Sequence, residues 1–215
     1  MLKLIGQELK NHAPFTLLGA ASGIAIAAFL YRIPKEVSYF AFYVLHPGHV
    51  LLSAMVTASM YQLHTCAANR HQCNRIALVL VGYFGSIGIA TLSDSVIPYI
   101  GERWLALPHT HLHIGFLEAW WLVNPLALLG IAIAYRWPQT KVPHAGHVLL
   151  STGASLFHML MALESGLTWS IAFALTIFLF IAVWLPCCLS DIAFPILFVG
   201  KSNPDNQHFP HSHHH

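Results

Sequence analysis

The chain has 215 residues, of which 56% are hydrophobic and only 8% carry a fixed charge. Soluble domains carry about a quarter charged residues, so this composition argues against a soluble enzyme and excludes a disordered chain. A formal net charge of +2 provides no basic surface for nucleic acid, whereas the 16 His are twice as many as the Asp and Glu together.

Six apolar runs follow one another along the chain, and each is bounded by Pro, Gly, Asn or a charged residue. They cover residues 15–30, 37–61, 76–97, 113–135, 147–162 and 167–185. A membrane span needs about 20 apolar residues, and a backbone in lipid must satisfy its own hydrogen bonds, so each run is predicted to be a helix. The sequence therefore predicts an all-α integral membrane protein with about six transmembrane helices.

The charges between the runs predict the orientation of the chain. An even number of spans places both termini on one side, and that side carries seven of the Lys and Arg residues against three on the other. Because cytoplasmic loops are enriched in these residues, both termini are expected in the cytoplasm, with the chain in the cell membrane or an inner membrane.

Two segments of the chain resemble each other closely. His46-Pro-Gly-His49-Val-Leu-Leu-Ser53 recurs as His144-Ala-Gly-His147-Val-Leu-Leu-Ser151, with seven of eight positions identical. Leu92-Ser93-Asp94 recurs in the same order as Leu189-Ser190-Asp191. These echoes indicate a duplicated unit.

Each unit contains three spans, and an odd number of spans inverts the second copy relative to the first. Inverted repeats of this kind are common in secondary transporters. The predicted units are residues 1–105 and 106–200, each with three transmembrane helices, followed by a His-rich tail at residues 201–215.

The predicted topology collects ionisable residues at each end of the bundle. One end is expected to hold His46, His49 and Asp94 together with His109, His111 and His113, and the cytoplasmic end to hold His144, His147, Asp191 and His12. Two His three residues apart share one helix face, and imidazole with carboxylate suits Zn, Fe, Mn or Ni better than Cu(I). The sequence therefore predicts a metal site near each membrane face.

Further residues are candidates for a path or for secondary ligands. Glu118, His158 and Glu164 could extend a polar path between the two sites, carry protons, or form hydrogen bonds that hold the helices together. One short loop contains His64, Cys66, His71 and Cys73, whose spacing matches no standard zinc finger.

These features favour a membrane transporter for a divalent transition-metal ion that works by alternating access. The expected ligand is Zn, Fe or Mn. Haem is less favoured because its axial His ligands come from opposed helices, whereas each pair here lies on one helical turn. The expected partners are metal ions and the lipid bilayer, with no nucleic acid, and homo-oligomer formation stays open.

Two other classes of function remain open at this point. A three-His site with an open position could activate water, which would make the protein a membrane-embedded metal-dependent oxidase or hydrolase, or the protein could be a haem electron carrier. Alternatively, it could be a sensor or assembly factor that uses the loop Cys residues and the His-rich tail.

Overall fold

The computed structural model describes residues 14, 16–25, 34–65, 74–163 and 168–188, and within these ranges every regular element is a helix. The helices are α1 (Thr16–Ala25), α2 (Lys35–Thr65), α3 (Arg75–Thr91), a π-helical turn (Leu92–Val96), α4 (Ile97–Trp104), α5 (Gly115–Glu118), α6 (Trp120–Arg136), α7 (Lys141–Met161) and α8 (Trp169–Cys188). The predicted all-α architecture is confirmed over this part of the chain.

Within the described ranges, three segments are long and apolar enough to cross a membrane: Lys35–Leu63, Arg75–Trp104 and Trp169–Pro186. Two further apolar helices, α1 and α6, are shorter. Large apolar side chains such as Phe40 and Ile76 point outward, which suits contact with lipid. The chain therefore has the features of a membrane protein with three candidate spans, while the six-span inverted repeat stays a prediction.

The two long helices α2 and α7 pack against each other in opposite directions. Gly48 of α2 faces the side chain of Leu150, and Gly146 of α7 faces the side chain of Leu52. A residue further along α2 therefore meets a residue earlier in α7, so the two helices are antiparallel. Within this contact the His49 and His147 rings stack, with centroids 5.6 Å apart.

The remaining helices cover the two sides of this central pair. On one side α3 and α6 pack on α2 through small residues, with Gly82 against Ala58 and Gly130 against the Leu51 carbonyl. On the other side α1 and α8 pack on α7 through buried apolar side chains that include Val148. Apolar cores therefore flank the line along which α2 and α7 meet.

Candidate functional site

A seam of buried polar side chains runs along the contact between α2, α7 and the α3–α4 segment. Its members are Ser38, His46, His49, Ser53 and Thr57 of α2, Ser93, Asp94, Ser95 and Glu102 of the α3–α4 segment, and His147, Ser151, Ser155 and His158 of α7. Within α2 and α7 most of these residues recur every three or four positions, which places them on one helix face. Buried ionisable groups are costly in a membrane protein and are therefore functional candidates.

Asp94 is the centre of the seam and is fully buried. Its Oδ2 lies 2.9 Å from His46 Nδ1 and 2.7 Å from His49 Nδ1, so both imidazoles of one helical turn meet the same carboxylate oxygen. Its Oδ1 accepts hydrogen bonds from Ser93 Oγ at 2.7 Å and Ser151 Oγ at 2.9 Å. We call these five residues the Asp94 cluster, in which hydrogen bonds from three helical segments balance one buried negative charge.

The π-helical turn explains why Asp94 points inward. The Ile97 N–H donates to the Leu92 carbonyl five residues back. In the same register the Ser93 carbonyl would need the N–H of residue 98, which is proline and has none. Ser155 Oγ of α7 donates to this carbonyl instead, at 2.9 Å. Single π turns recur at functional sites, and this one ties the Asp94 segment to α7.

The second nitrogen of each imidazole in the Asp94 cluster finds no hydrogen-bond partner among the described side chains and backbone. His46 Nε2 and His49 Nε2 are both buried and unpaired in the part of the chain that is described. The His46 ring lies against Gly115, where a Cβ would approach Nε2 to 2.6 Å. Both imidazoles therefore keep a free nitrogen that can carry a proton or a lone pair.

A second group of ionisable residues lies one aromatic ring away. Phe42 stacks on the His46 ring at 5.4 Å and meets the His158 ring edge-on at 5.3 Å. His158 Nδ1 lies 2.7 Å from Glu102 Oε1, and both side chains are fully buried. The remaining carboxylate oxygen, Glu102 Oε2, has no hydrogen-bond partner among the described residues.

From this pair, contacts lead towards the surface of the protein. The His113 backbone N–H donates to His158 Nε2 at 3.4 Å, and His113 Nδ1 lies 3.3 Å from Glu118 Oε2. Tyr43 also donates to the Glu118 carboxylate. The side chains of His113 and Glu118 are 23% and 38% exposed. We call Glu102, His158, His113, Glu118 and Tyr43 the Glu102 cluster.

His113 lies between α4 and α5, outside the helices. Partial burial lowers the pKa of His113, and the nearby His158, His111 and Lys35 lower it further. Burial disfavours the charged imidazole, and neighbouring positive charges act in the same direction. The neutral form of His113 is therefore favoured.

The structure groups the predicted His residues differently from the sequence in two ways. The two His-x-Gly-His motifs adjoin each other, because the His49 ring of α2 stacks on the His147 ring of α7. His144 and His147, with centroids 4.9 Å apart, are therefore next to His49.

The second difference concerns the residues that follow α4, which the sequence groups with Asp94. Instead His113 contacts His158, His111 lies 6.4 Å from His113 between ring centroids, and the His109 N–H donates to the Ala162 carbonyl. The α4 helix extends to Trp104, so this segment begins beyond the level of Asp94.

Several predicted residues cannot be placed in this arrangement. His12, Cys66, His71, Cys73, Glu164 and Asp191 lie outside the described residues, and His64 lies in the last turn of α2, with a side chain that is not described. Within the described ranges, no three His, Cys, Asp or Glu side chains form a ready-made metal-binding group. In the structure the Asp94 cluster is therefore a set of side chains held together by hydrogen bonds.

Sequence reasoning missed Glu102 and the serines that hold Asp94. Glu102 was hidden because Pro98 suggests the end of a span, whereas the π-helical turn lets the helix continue to Trp104. The serines gave a usable signal, since His147, Ser151, Ser155 and His158 recur at helical spacing.

No protein-family model matches the chain, and no curated protein or solved structure shows significant similarity to it.

Proposed function

We propose that the chain is a membrane transporter for a divalent transition-metal ion of the Zn, Fe or Mn class, with His46, His49 and Asp94 as its binding site. The observation that carries the proposal is the convergence of two imidazole nitrogens on one buried carboxylate oxygen, at 2.7 and 2.9 Å. One site in the middle of the bundle replaces the two separate sites expected from the sequence.

The chemistry of the three atoms suits such an ion. Zinc bonds to imidazole and carboxylate of about 2.1 Å at tetrahedral angles place neighbouring ligand atoms about 3.4 Å apart. The ligand atoms, now 2.7 and 2.9 Å apart in hydrogen bonds, would therefore separate by roughly half an ångström to admit the ion. Metal binding requires the lone pair of each Nδ1, so each Nδ1 proton moves to Nε2 or leaves the site. The unpaired Nε2 atoms of His46 and His49 can accept these protons.

The proposal includes six spans arranged as two inverted repeats, with both termini in the cytoplasm. Its support is a pair of matching contacts, because Gly48 faces Leu150 and Gly146 faces Leu52. Gly48 and Gly146 are 98 positions apart in the sequence, and so are Leu52 and Leu150. Alternating access would then tilt one repeat against the other along the contact between α2 and α7.

Metal binding and flux test the proposal. Purified protein stripped of metal is titrated with Zn²⁺ by calorimetry, and the same protein in liposomes is assayed for Zn²⁺ entry with a trapped fluorescent indicator. We expect about one Zn²⁺ per chain at this site and measurable entry, because His46 and His49 supply two of its ligands. The double variant His46→Ala/His49→Ala should lose both Zn²⁺ binding at this site and Zn²⁺ entry.

His111→Ala provides the matched control, since His111 is exposed and makes no described contact with Asp94. This variant should bind and transport Zn²⁺ as the original chain does. Unchanged binding and flux in the double variant would refute the site. Zn²⁺ binding without flux in the original chain would refute transport.

A second function has one specific observation in its favour. Two His and one carboxylate leave coordination positions open, as in several non-haem iron oxygenases and zinc hydrolases. A membrane-embedded metal-dependent enzyme would therefore bind the ion at the same residues. The enzyme would be favoured if the protein retained its metal but showed no metal flux, and if the iron-loaded protein consumed oxygen.

A further inference from the structure

The Glu102–His158 pair takes no part in the proposed ligand set, although both side chains are fully buried. The His113 backbone N–H donates to His158 Nε2, so that nitrogen carries a lone pair and not a proton. In the neutral imidazole the proton is then on Nδ1, which donates to Glu102 Oε1. His158 therefore holds one oxygen of Glu102 in place while it remains uncharged.

The other oxygen of Glu102 is the site where a proton can bind. Glu102 Oε2 is buried and has no hydrogen-bond partner in the described ranges. An ionised carboxylate with one unpaired oxygen is costly to bury, and a proton on that oxygen removes the charge. Protonation converts the Glu102 carboxylate to the neutral acid and leaves the His158 contact intact.

We propose that Glu102, held by His158, is the proton-binding site that couples proton movement to metal movement, so that the chain exchanges a divalent ion for a proton. The role in exchange depends on the proposed function, whereas proton binding by Glu102 does not. A divalent ion at Asp94 adds positive charge to the same buried seam, which favours loss of the Glu102 proton.

The contacts of the Glu102 cluster provide a route for protons towards the surface, and they keep the proton site apart from the proposed metal site. Glu118 and His113 connect the pair to the partly exposed end of the Glu102 cluster. Phe42 contacts both His158 and His46, so an aromatic ring separates the proton site from the nearest proposed metal ligand. The two cations therefore bind to separate carboxylates and interact through charge.

The surrounding ionisable groups come from four elements. They are Lys35 and Tyr43 of α2, Asp94 of the π-helical turn, His111 and His113 of the segment before α5, and Glu118 of α5. Arg103 follows Glu102 on α4 and is exposed. The described parts of α1 and α8 contain no Asp, Glu, Lys, Arg or His, so these helices add no charge.

Simultaneous recording of Zn²⁺ and protons tests the coupling. Liposomes that contain the full chain, a Zn²⁺ indicator and a pH-sensitive dye are exposed to external Zn²⁺. We expect Zn²⁺ entry with a matching loss of luminal protons. Glu102→Gln imitates the protonated acid, so Zn²⁺ entry should persist while the pH signal falls to that of protein-free liposomes.

Glu36→Gln is the matched control, because Glu36 is an exposed carboxylate on α2. It should retain both signals. A full pH signal in Glu102→Gln would overturn the coupling. If Glu102→Gln fails to fold, His158→Gln replaces it, and this variant should weaken proton coupling while Zn²⁺ still enters.

An infrared measurement separates this inference from the proposed function. A pH step applied to the metal-free protein should produce a carboxylic-acid C=O band that is absent in Glu102→Gln and present in Glu36→Gln. Absence of Zn²⁺ flux in the original chain would refute transport alone. An unchanged band in Glu102→Gln would refute the proton site.

Discussion

At the scale of single residues, the Asp94 cluster depends on one glycine that lies outside it. Gly115 is the first residue of α5 and packs against the His46 ring. A Cβ on residue 115 would approach His46 Cδ2 to 2.2 Å, closer than any real contact. The ring must then move, and its Nδ1 would lose the 2.9 Å contact with Asp94.

We therefore predict that Gly115→Ala weakens Zn²⁺ binding at the Asp94 cluster by about tenfold or more, in line with substitutions that misorient a metal ligand. Calorimetry on the purified variant measures the change. Gly88→Ala is the control, because Gly88 is exposed on α3 and, apart from the neighbouring backbone of its own helix, its added Cβ meets no described atom within 4 Å. Equal Zn²⁺ affinities in the two variants would contradict the placement of His46.

The residues of the site were partly predictable from the sequence. The spacing of His46 and His49 indicates a shared helix face, and the repeated Leu-Ser-Asp motif singles out Asp94. Their meeting at one oxygen was not predictable in detail, because it depends on the π-helical turn and on Ser151 of another helix. Glu102 lay beyond Pro98, and a proline is a common signal for the end of a helix.

At the scale of elements, close packing between helices takes the place of large apolar side chains on one side of the site. Gly130 of α6 faces the Leu51 carbonyl and the Ala54 side chain of α2. A Cβ at Gly130 would lie 2.4 Å from that backbone oxygen, and backbone cannot turn aside as a flexible side chain can. Small residues let helices approach closely in membrane proteins.

We expect Gly130→Ala to separate α6 from α2 and to destabilise the fold by about 1–3 kcal/mol, as overpacking of a tight contact does. A lower thermal midpoint in detergent is the measurement. Gly88→Ala should leave the midpoint unchanged or raise it slightly, because alanine favours a helix over glycine where space is free. Equal midpoints would argue against the tight α2–α6 contact.

At the scale of the whole molecule, the helix directions place connecting segments at opposite ends of the bundle. Arg103 lies in the last turn of α4, before the segment that leads to α5, and Gln139 lies between α6 and α7. The distribution of Lys and Arg predicts that the end with Gln139 faces the cytoplasm.

Cysteine labelling tests this topology. In a background with Cys66, Cys73, Cys187 and Cys188 replaced by Ser, Arg103→Cys should react with an impermeant maleimide on intact cells. Gln139→Cys should react only after the membrane is opened. Reaction of both positions from outside would contradict the opposite placement of the two segments, and the reverse pattern would contradict the predicted orientation.

The sequence was sufficient to predict an all-helical membrane protein, because apolar runs of this length have few alternatives. The arrangement of the two His-x-Gly-His motifs was less predictable. Their depth depends on where each helix begins, since His49 is the 15th of the 31 residues of α2 whereas His147 is the seventh residue of α7. The antiparallel pairing of the two helices then brings both motifs together.

The stacking of His49 on His147 joins corresponding positions of two similar segments. When identical subunits pair about a twofold axis, residues on that axis meet their own counterparts, and one self-complementary surface is enough to build the interface. The Gly48–Leu150 and Gly146–Leu52 contacts are related in the same way, so this stretch of the α2–α7 contact has local twofold symmetry, with His49 and His147 beside the axis.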